Sequence, residues 1–139
     1  MENFKNYING EWVPAVSGKT FLNYNPANLE DIIGEFALSD KEDVNNAVVA
    51  ARKAFESWRL IPAPKRGDMM RKVGDIFNRR KKELAQIMTR EMGKPTFETE
   101  GDVQEAIATA YYAASEPRRL FGHTVPSEMN TKMNLSVRV

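Results

Sequence analysis

The chain carries one histidine, His123, and no cysteine. These two facts narrow the chemistry at once. A thiolate nucleophile, a disulfide and a thiolate metal site are excluded, and a multi-histidine metal site has no material. A Ser-His-Asp triad would have to use His123. That residue follows Gly122 in an expected turn, without neighbouring Cys, Asp or Glu, and reads as a surface histidine.

Four acidic residues, Glu98, Glu100, Asp102 and Glu105, cluster near the start of an expected helix. Carboxylates so close could hold a hard cation. Their favourable interaction with a helix dipole accounts for them without any ligand. Met92-Gly93-Lys94-Pro95 offers a glycine and a lysine to an anion. The lysine lies at a helix C-terminus, where the dipole disfavours anions, and the glycine reads as a helix stop. Arg79-Arg80-Lys81-Lys82, followed by Glu83, reads as a solvated helix face, and Met69 and Met70 as core filler. No G-x-G-x-x-G, G-x-x-x-x-G-K-[ST] or G-x-S-x-G occurs. Residue by residue, the sequence holds a fold and no converging active site.

The elements that must position these groups follow from composition and period. With 139 residues, 42% hydrophobic and 28% charged, the chain suits one globular domain with a core. Twenty Lys+Arg against 19 Asp+Glu leave a net charge of +1, which argues against nucleic acid and against a polybasic membrane anchor. No run approaches the ~18 apolar residues of a membrane span, and no signal-peptide stretch opens the chain. A cytoplasmic location is the expectation.

Residues 4–38 read as short strands and turns. Tyr7-Ile8-Asn9-Gly10-Glu11-Trp12-Val13 places Asn-Gly between β-prone residues and predicts a type I′ hairpin. Ser17-Gly18-Lys19 is a second turn, residues 20–24 a strand stopped by Asn25-Pro26-Ala27-Asn28, and residues 32–37 a third strand.

Residues 39–122 read as three helices. Ser39 and Glu42 have capping-box spacing. Val44, Ala47, Val48, Ala51, Ala54, Phe55 and Trp58 then form a stripe expected to face a core. Pro62 and Pro64 separate this helix from a long second one over about 64–92, which has an apolar stripe running from Met69 to Met88. The third helix begins near Thr96–Thr99, carries Val103, Ala106, Ile107, Ala110 and Ala114 on one face, and is expected to stop at Gly122.

Lys132 to Val139 alternates polar and apolar, as a half-buried strand does. It runs into the last residue with no partner strand after it. The expectation is a sequence cut short, or a partner from another chain. The fold class is α+β: short antiparallel hairpins, three long helices and a C-terminal strand.

The order of these segments resembles the aldehyde dehydrogenase superfamily. Tyr7-Ile8-Asn9-Gly10-Glu11-Trp12 is similar to its opening hairpin, and Asn25-Pro26-Ala27 to its N-P-[AS] turn. Asp43-Val44, Ala47-Val48, Ala50-Ala51-Arg52, Ala54-Phe55 and Trp58 follow its D-V-x-x-A-V-x-A-A-x-x-A-F-x-x-W helix. Arg66, Glu83-Leu84-Ala85 and Glu91-Met92-Gly93-Lys94-Pro95 resemble the next helix with its E-x-G-K-P end. Glu98 with Gly101-Asp102-Val103, and Gly122-His123-Thr124-Val125-Pro126, resemble its E-x-x-G-[DE]-V start and its G-x-T-[IV]-P turn.

The resemblance implies residues 1–139 as the N-terminal segment of the cofactor-binding domain of that α/β fold, with 123–139 beginning the oligomerisation hairpin. Members oxidise aldehydes with NAD or NADP, using a cysteine nucleophile and a glutamate base. The resemblance places those groups beyond this chain, which is expected to bind no cofactor and to be inactive alone. It implies a monovalent cation held by Asn23, Tyr24 and Glu91, and a substrate-tunnel wall at Gln104 and Ala108. It also implies a homo-oligomer formed through the 132–139 strand. The alternative is a non-catalytic interaction module that uses this strand as its contact.

Overall fold

Asn9 and Gly10 turn the chain as their residue types demand. In the computed structural model, which describes residues 2–138, their φ angles are 54° and 86°, both left-handed. This is the geometry of a two-residue hairpin loop. It joins β2 (Asn6–Ile8) to β3 (Glu11–Val13), with Tyr7 opposite Trp12 and their rings 4.9 Å apart.

A three-stranded sheet lies beside this hairpin. β4 (Thr20–Asn25) and β5 (Asn28–Ala37) are antiparallel and joined by the Pro26-Ala27 turn. Asn25 closes that turn, its side-chain oxygen accepting the Ala27 N–H at 3.0 Å. β1 (Asn3–Phe4) adds to the other edge of β5 in parallel, a pairing that hairpin signals do not reveal. Phe4 and Phe21 both pack against Phe36 across the sheet.

The first helix, α1 (Lys41–Trp58), is capped one residue later than the Ser39–Glu42 spacing suggested. Asp40 is the N-cap: its carboxylate accepts the Glu42 N–H, and the Asp43 carboxylate accepts the Asp40 N–H. Ser39 is engaged elsewhere, in a reciprocal pair of hydrogen bonds with the Asn6 amide. The apolar stripe of α1 does not face a core. Val44, Val48, Phe55 and Trp58 are exposed, because α1 packs chiefly on β2.

The long second helix is two helices. α2 (Ala63–Arg79) and α3 (Lys81–Met92) meet at Arg80, whose φ of −99° and ψ of 13° leave the helical region. The break serves α4 (Thr96–Ser115), which both must cover. α2 packs on the C-terminal half of α4, where Gly74 lies under the Tyr111 ring. α3 packs on the N-terminal half, where Ala85, Val103 and Ile107 form the buried core, flanked by Phe77, Leu84 and Met88. One straight helix over 64–92 would run ~43 Å, against ~30 Å for the 20 residues of α4.

α4 stops at Ser115, well before Gly122. Pro117 cannot donate to an α-helical ladder, and Glu116–Arg118 tightens into a 3₁₀ turn. The Gly122–Pro126 segment, expected as a turn, contains β6 (Thr124–Pro126). It pairs antiparallel with β7 (Met133–Leu135), so the C-terminal strand has a partner before it in the chain. β7 is shorter than the 132–139 alternation suggested, since β6 offers it only Thr124–Pro126, opposite Leu135, Asn134 and Met133. Val139, the end of that expected strand, lies outside the described residues. The α+β class stands, with four α-helices among the described residues in place of three.

Candidate functional site

The end of α3 and the β4–β5 hairpin meet at a built junction. Gly93 terminates α3 with φ 70°, and its N–H reaches the Thr89 carbonyl at 2.9 Å. A Cβ at this position would stand 3.0 Å from Pro26 Cγ and 3.3 Å from Ala27 N. Glycine thus supplies both the left-handed cap and the space for the hairpin turn. Just before it, Arg90 donates through Nε and Nη2 to the Asp31 carboxylate, and through Nη2 to the Ile32 carbonyl. Asn25 donates to the same carboxylate at 3.2 Å. Hydrogen bonds from Arg90 first, then Asn25, hold Asp31 down to a pKa of about 2.

Beyond the junction, Lys94 turns to the start of α4. Its ammonium lies 2.5 Å from Asp102 and 3.9 Å from Glu98, and the Asp102 hydrogen bond raises its pKa. The acidic cluster thus receives its positive charge from the chain itself. Among the described residues, no group of three or more His, Asp or Glu side chains is arranged to hold a metal ion. Beneath Lys94, the buried Thr99 hydroxyl meets Thr89 Oγ1 at 2.7 Å and donates to the Thr96 carbonyl.

The residues named for a cation divide between two places. Asn23 is half-buried on β4 opposite Gly34, and Tyr24 follows it opposite Ile32, at a register shift. Glu91 instead lines an apolar groove of about 330 Å³ between α3 and α4, with Phe77, Leu84, Met88, Met92 and Val103 among its neighbours. It is Arg90, one residue earlier, that reaches the hairpin. The Asp31–Arg90 pair spans 59 positions and carries no local motif, so sequence reasoning missed it. Gln104 and Ala108 are both exposed on α4, and the Gln104 side-chain oxygen accepts a hydrogen bond from Lys81 at 2.9 Å. His123 is exposed, and its backbone clamps Ser136 rather than a ligand.

A dinucleotide pyrophosphate needs free N–H groups at a helix start, approached through glycine. The N-terminus of α1 is filled by its own Asp40 and Asp43 carboxylates. α2 and α4 begin behind Pro62 and Pro95, and Glu98 stands in the first turn of α4. Among the described residues, no helix start follows a G-x-G-x-x-G turn of the kind that cradles a pyrophosphate.

Comparison with known proteins gives this arrangement a context. The model of the aldehyde dehydrogenase family matches residues 12–139. The alpha-ketoglutaric semialdehyde dehydrogenase of Bacillus subtilis is 39% identical over 136 residues, covering 98% of this chain and 28% of that protein. The alpha-ketoglutarate semialdehyde dehydrogenase of Haloferax volcanii is 41% identical, covering 85% and 24%. Among solved structures, an NADP-dependent enzyme of E. coli superimposes with a TM-score of 0.91 at 30% identity, covering 97% of this chain and 28% of the other. An NAD-dependent aldehyde dehydrogenase from Sinorhizobium meliloti gives 0.88 at 31%, covering 96% and 27%. The chain therefore spans about a quarter of the length of the relatives it matches. Match and superposition run through both the hairpins and the helices, and the chain belongs to the aldehyde dehydrogenase family.

Proposed function

We propose that this chain acts as the N-terminal portion of an NAD(P)-dependent aldehyde dehydrogenase, which oxidises an aldehyde to a carboxylic acid. The observation that carries this reading is a family match over residues 12–139, joined to coverage of only 28% of the Bacillus subtilis relative. The thiol nucleophile and the cofactor cradle would come from the rest of that fold, since this chain holds neither cysteine nor a G-x-G-x-x-G turn. The isolated chain is inactive on this reading. Relatives named for alpha-ketoglutaric and malonate semialdehydes suggest an aldehyde that also bears a carboxylate.

Finer roles belong to the same proposal. On the same resemblance, the Asn23 and Tyr24 backbone and Glu91 would hold a monovalent cation; α3 packs against β4, and the Glu91 side chain, which lines the α3–α4 groove, would have to turn towards the Gly93–Pro26 junction to complete the site. Gln104 and Ala108, one turn apart on α4, would contribute to the substrate tunnel. Residues 123–139 would begin an oligomerisation hairpin, supported by exposed Val125, Met133 and Leu135 on β6 and β7. A cytoplasmic location completes the reading. Among the described residues no helix is long and apolar enough to cross a membrane.

The test is a chimera in which this chain replaces the matched segment of the Bacillus subtilis enzyme. The expected result is semialdehyde-dependent formation of NADH or NADPH by the chimera and none by the isolated chain. A folded chimera without turnover, or turnover by the isolated chain, overturns the reading.

A further inference from the structure

Asn9 alone among the asparagines of this chain precedes a glycine. The pair carries a chemistry that its role in the hairpin does not use. The carbon of an asparagine amide is electrophilic, and the next backbone nitrogen can attack it to close a succinimide ring. Glycine offers that nitrogen without a Cβ to obstruct the approach. Asn9 and Gly10 are both exposed, and nothing stands within 4 Å of where a Gly10 Cβ would lie. Water therefore reaches the reacting pair.

The closed turn withholds the reaction. The φ angles of 54° at Asn9 and 86° at Gly10 are those of a type I′ turn, whose first central residue has ψ of about +30°. At that ψ the Gly10 nitrogen lies almost opposite Asn9 Cβ across the Cα–C bond. Ring closure needs the two eclipsed, so the turn must open first. Little resists opening. Among the described residues β3 pairs only with β2, and a two-stranded hairpin is marginal by itself. The Tyr7 and Trp12 rings that brace it are 62% and 68% exposed. The Asn6–Ser39 hydrogen bonds tie down β2 and leave β3 to lift away.

We propose that Asn9 is a self-modifying site, gated by the β2–β3 hairpin, which converts to isoaspartate when the hairpin opens. The Gly10 nitrogen gives up its proton and bonds to Asn9 Cγ, and the Cγ–Nδ2 bond breaks with loss of ammonia. Water then opens the succinimide. Cleavage between Cγ and nitrogen leaves aspartate, and cleavage between the backbone carbonyl and nitrogen leaves isoaspartate. The sum is one amide and one water exchanged for one carboxylate and one ammonium, with no other reagent. The isoaspartate route takes the backbone through Cβ, one methylene longer, and adds a negative charge close to Glu11. The two-residue turn no longer fits, so the change runs one way.

The test incubates the intact chain at neutral pH, folded and in denaturing urea, and follows isoaspartate by methyltransferase labelling and peptide mapping. Isoaspartate is expected at Asn9 before any other asparagine, and about tenfold more slowly in the folded chain than in the unfolded one. The slowing should match the hydrogen-exchange protection of the β2–β3 ladder amides in the same parent chain, a comparison that needs no variant. Trp12→Ala, which removes the ring pair, should raise the folded rate towards the unfolded one while α3 and α4 keep their protection. The modified chain should have lost the ladder protection. Equal rates in the folded and unfolded chain, or a slowing unrelated to the ladder protection, overturns the proposal. So does another asparagine reacting first, a folded Trp12→Ala chain as slow as the parent, or a modified chain that keeps its ladder.

Discussion

Arg90 grips Asp31 at two points, Nη2 to Oδ1 at 2.5 Å and Nε to Oδ2 at 2.9 Å, and so fastens α3 to β5 across 59 residues of sequence. The guanidinium fork matches the carboxylate geometry and adds a bond to the Ile32 carbonyl. The pair is half-exposed, so salt and water screen it. Its effect is more specific than strong: it fixes where the hairpin sits against the helix end.

This pair sets an acid limb of stability. Asp31 ionises more readily in the folded chain, with a pKa of about 2 against an ordinary 3.8. Its contribution is full above the ordinary value and is lost as pH falls through the interval towards 2. Carbon-detected titration should find the Asp31 carboxyl changing near pH 2, and Arg90→Ala should return it towards 3.8. Asp31→Asn should flatten the same interval of the pH–stability curve. An unshifted Asp31 in the parent chain would refute the pairing.

Gly93→Ala should destabilise the chain by about 1–2 kcal/mol, because an L-residue in the left-handed region carries that cost. The new methyl also presses on Pro26. Urea unfolding gives the number. The same substitution at Gly101, which lies inside α4 with open space around it, should stabilise slightly.

Asp43 is buried and serves two backbone donors, Val16 N–H at 2.9 Å and Asp40 N–H at 2.9 Å. Asp43→Ala leaves both without this acceptor and should cost about 1–3 kcal/mol. Amide exchange should accelerate at Val16 and in the first turn of α1, while α3 and α4 keep their protection. Uniform acceleration would contradict the local role.

Thr99→Val should cost about 1 kcal/mol, since the Thr89 hydroxyl loses its partner at the α3–α4 contact. Thr89→Val with Thr99→Val should cost less than the two single changes added together. A double-mutant cycle measures that coupling, and strict additivity would show that the hydroxyls do not communicate.

The proposed cation site has its own check. Exchanging potassium for tetramethylammonium should lower the Tm of the chain, and Glu91→Gln should remove the difference. A Tm indifferent to the cation in the parent chain would argue against Asn23, Tyr24 and Glu91 acting together.

Local chemistry carries its own instructions, and these were legible in the sequence. Asn9-Gly10 can hold two positive φ angles, so the hairpin follows from two residue types. Gly93 after Met92 ends a helix, Pro62 and Pro64 separate two others, and the period of Val103, Ile107 and Ala110 marks the face that α4 buries. The family, too, was readable in the order of these segments. Tertiary structure alone decided what depends on distant partners. Arg80 breaks a continuous apolar stripe because two helices must share one α4, and no residue near Arg80 announces this. Ser39 yields the cap to Asp40 because Asn6 claims its hydroxyl from 33 residues away. Arg90 rather than Glu91 meets the hairpin because one residue is 100° of rotation on a helix, and only packing fixes which side faces the sheet. The α1 stripe states that a cover exists, but period records the need for burial and not its source. The structure shows that the described residues of this chain do not supply that cover.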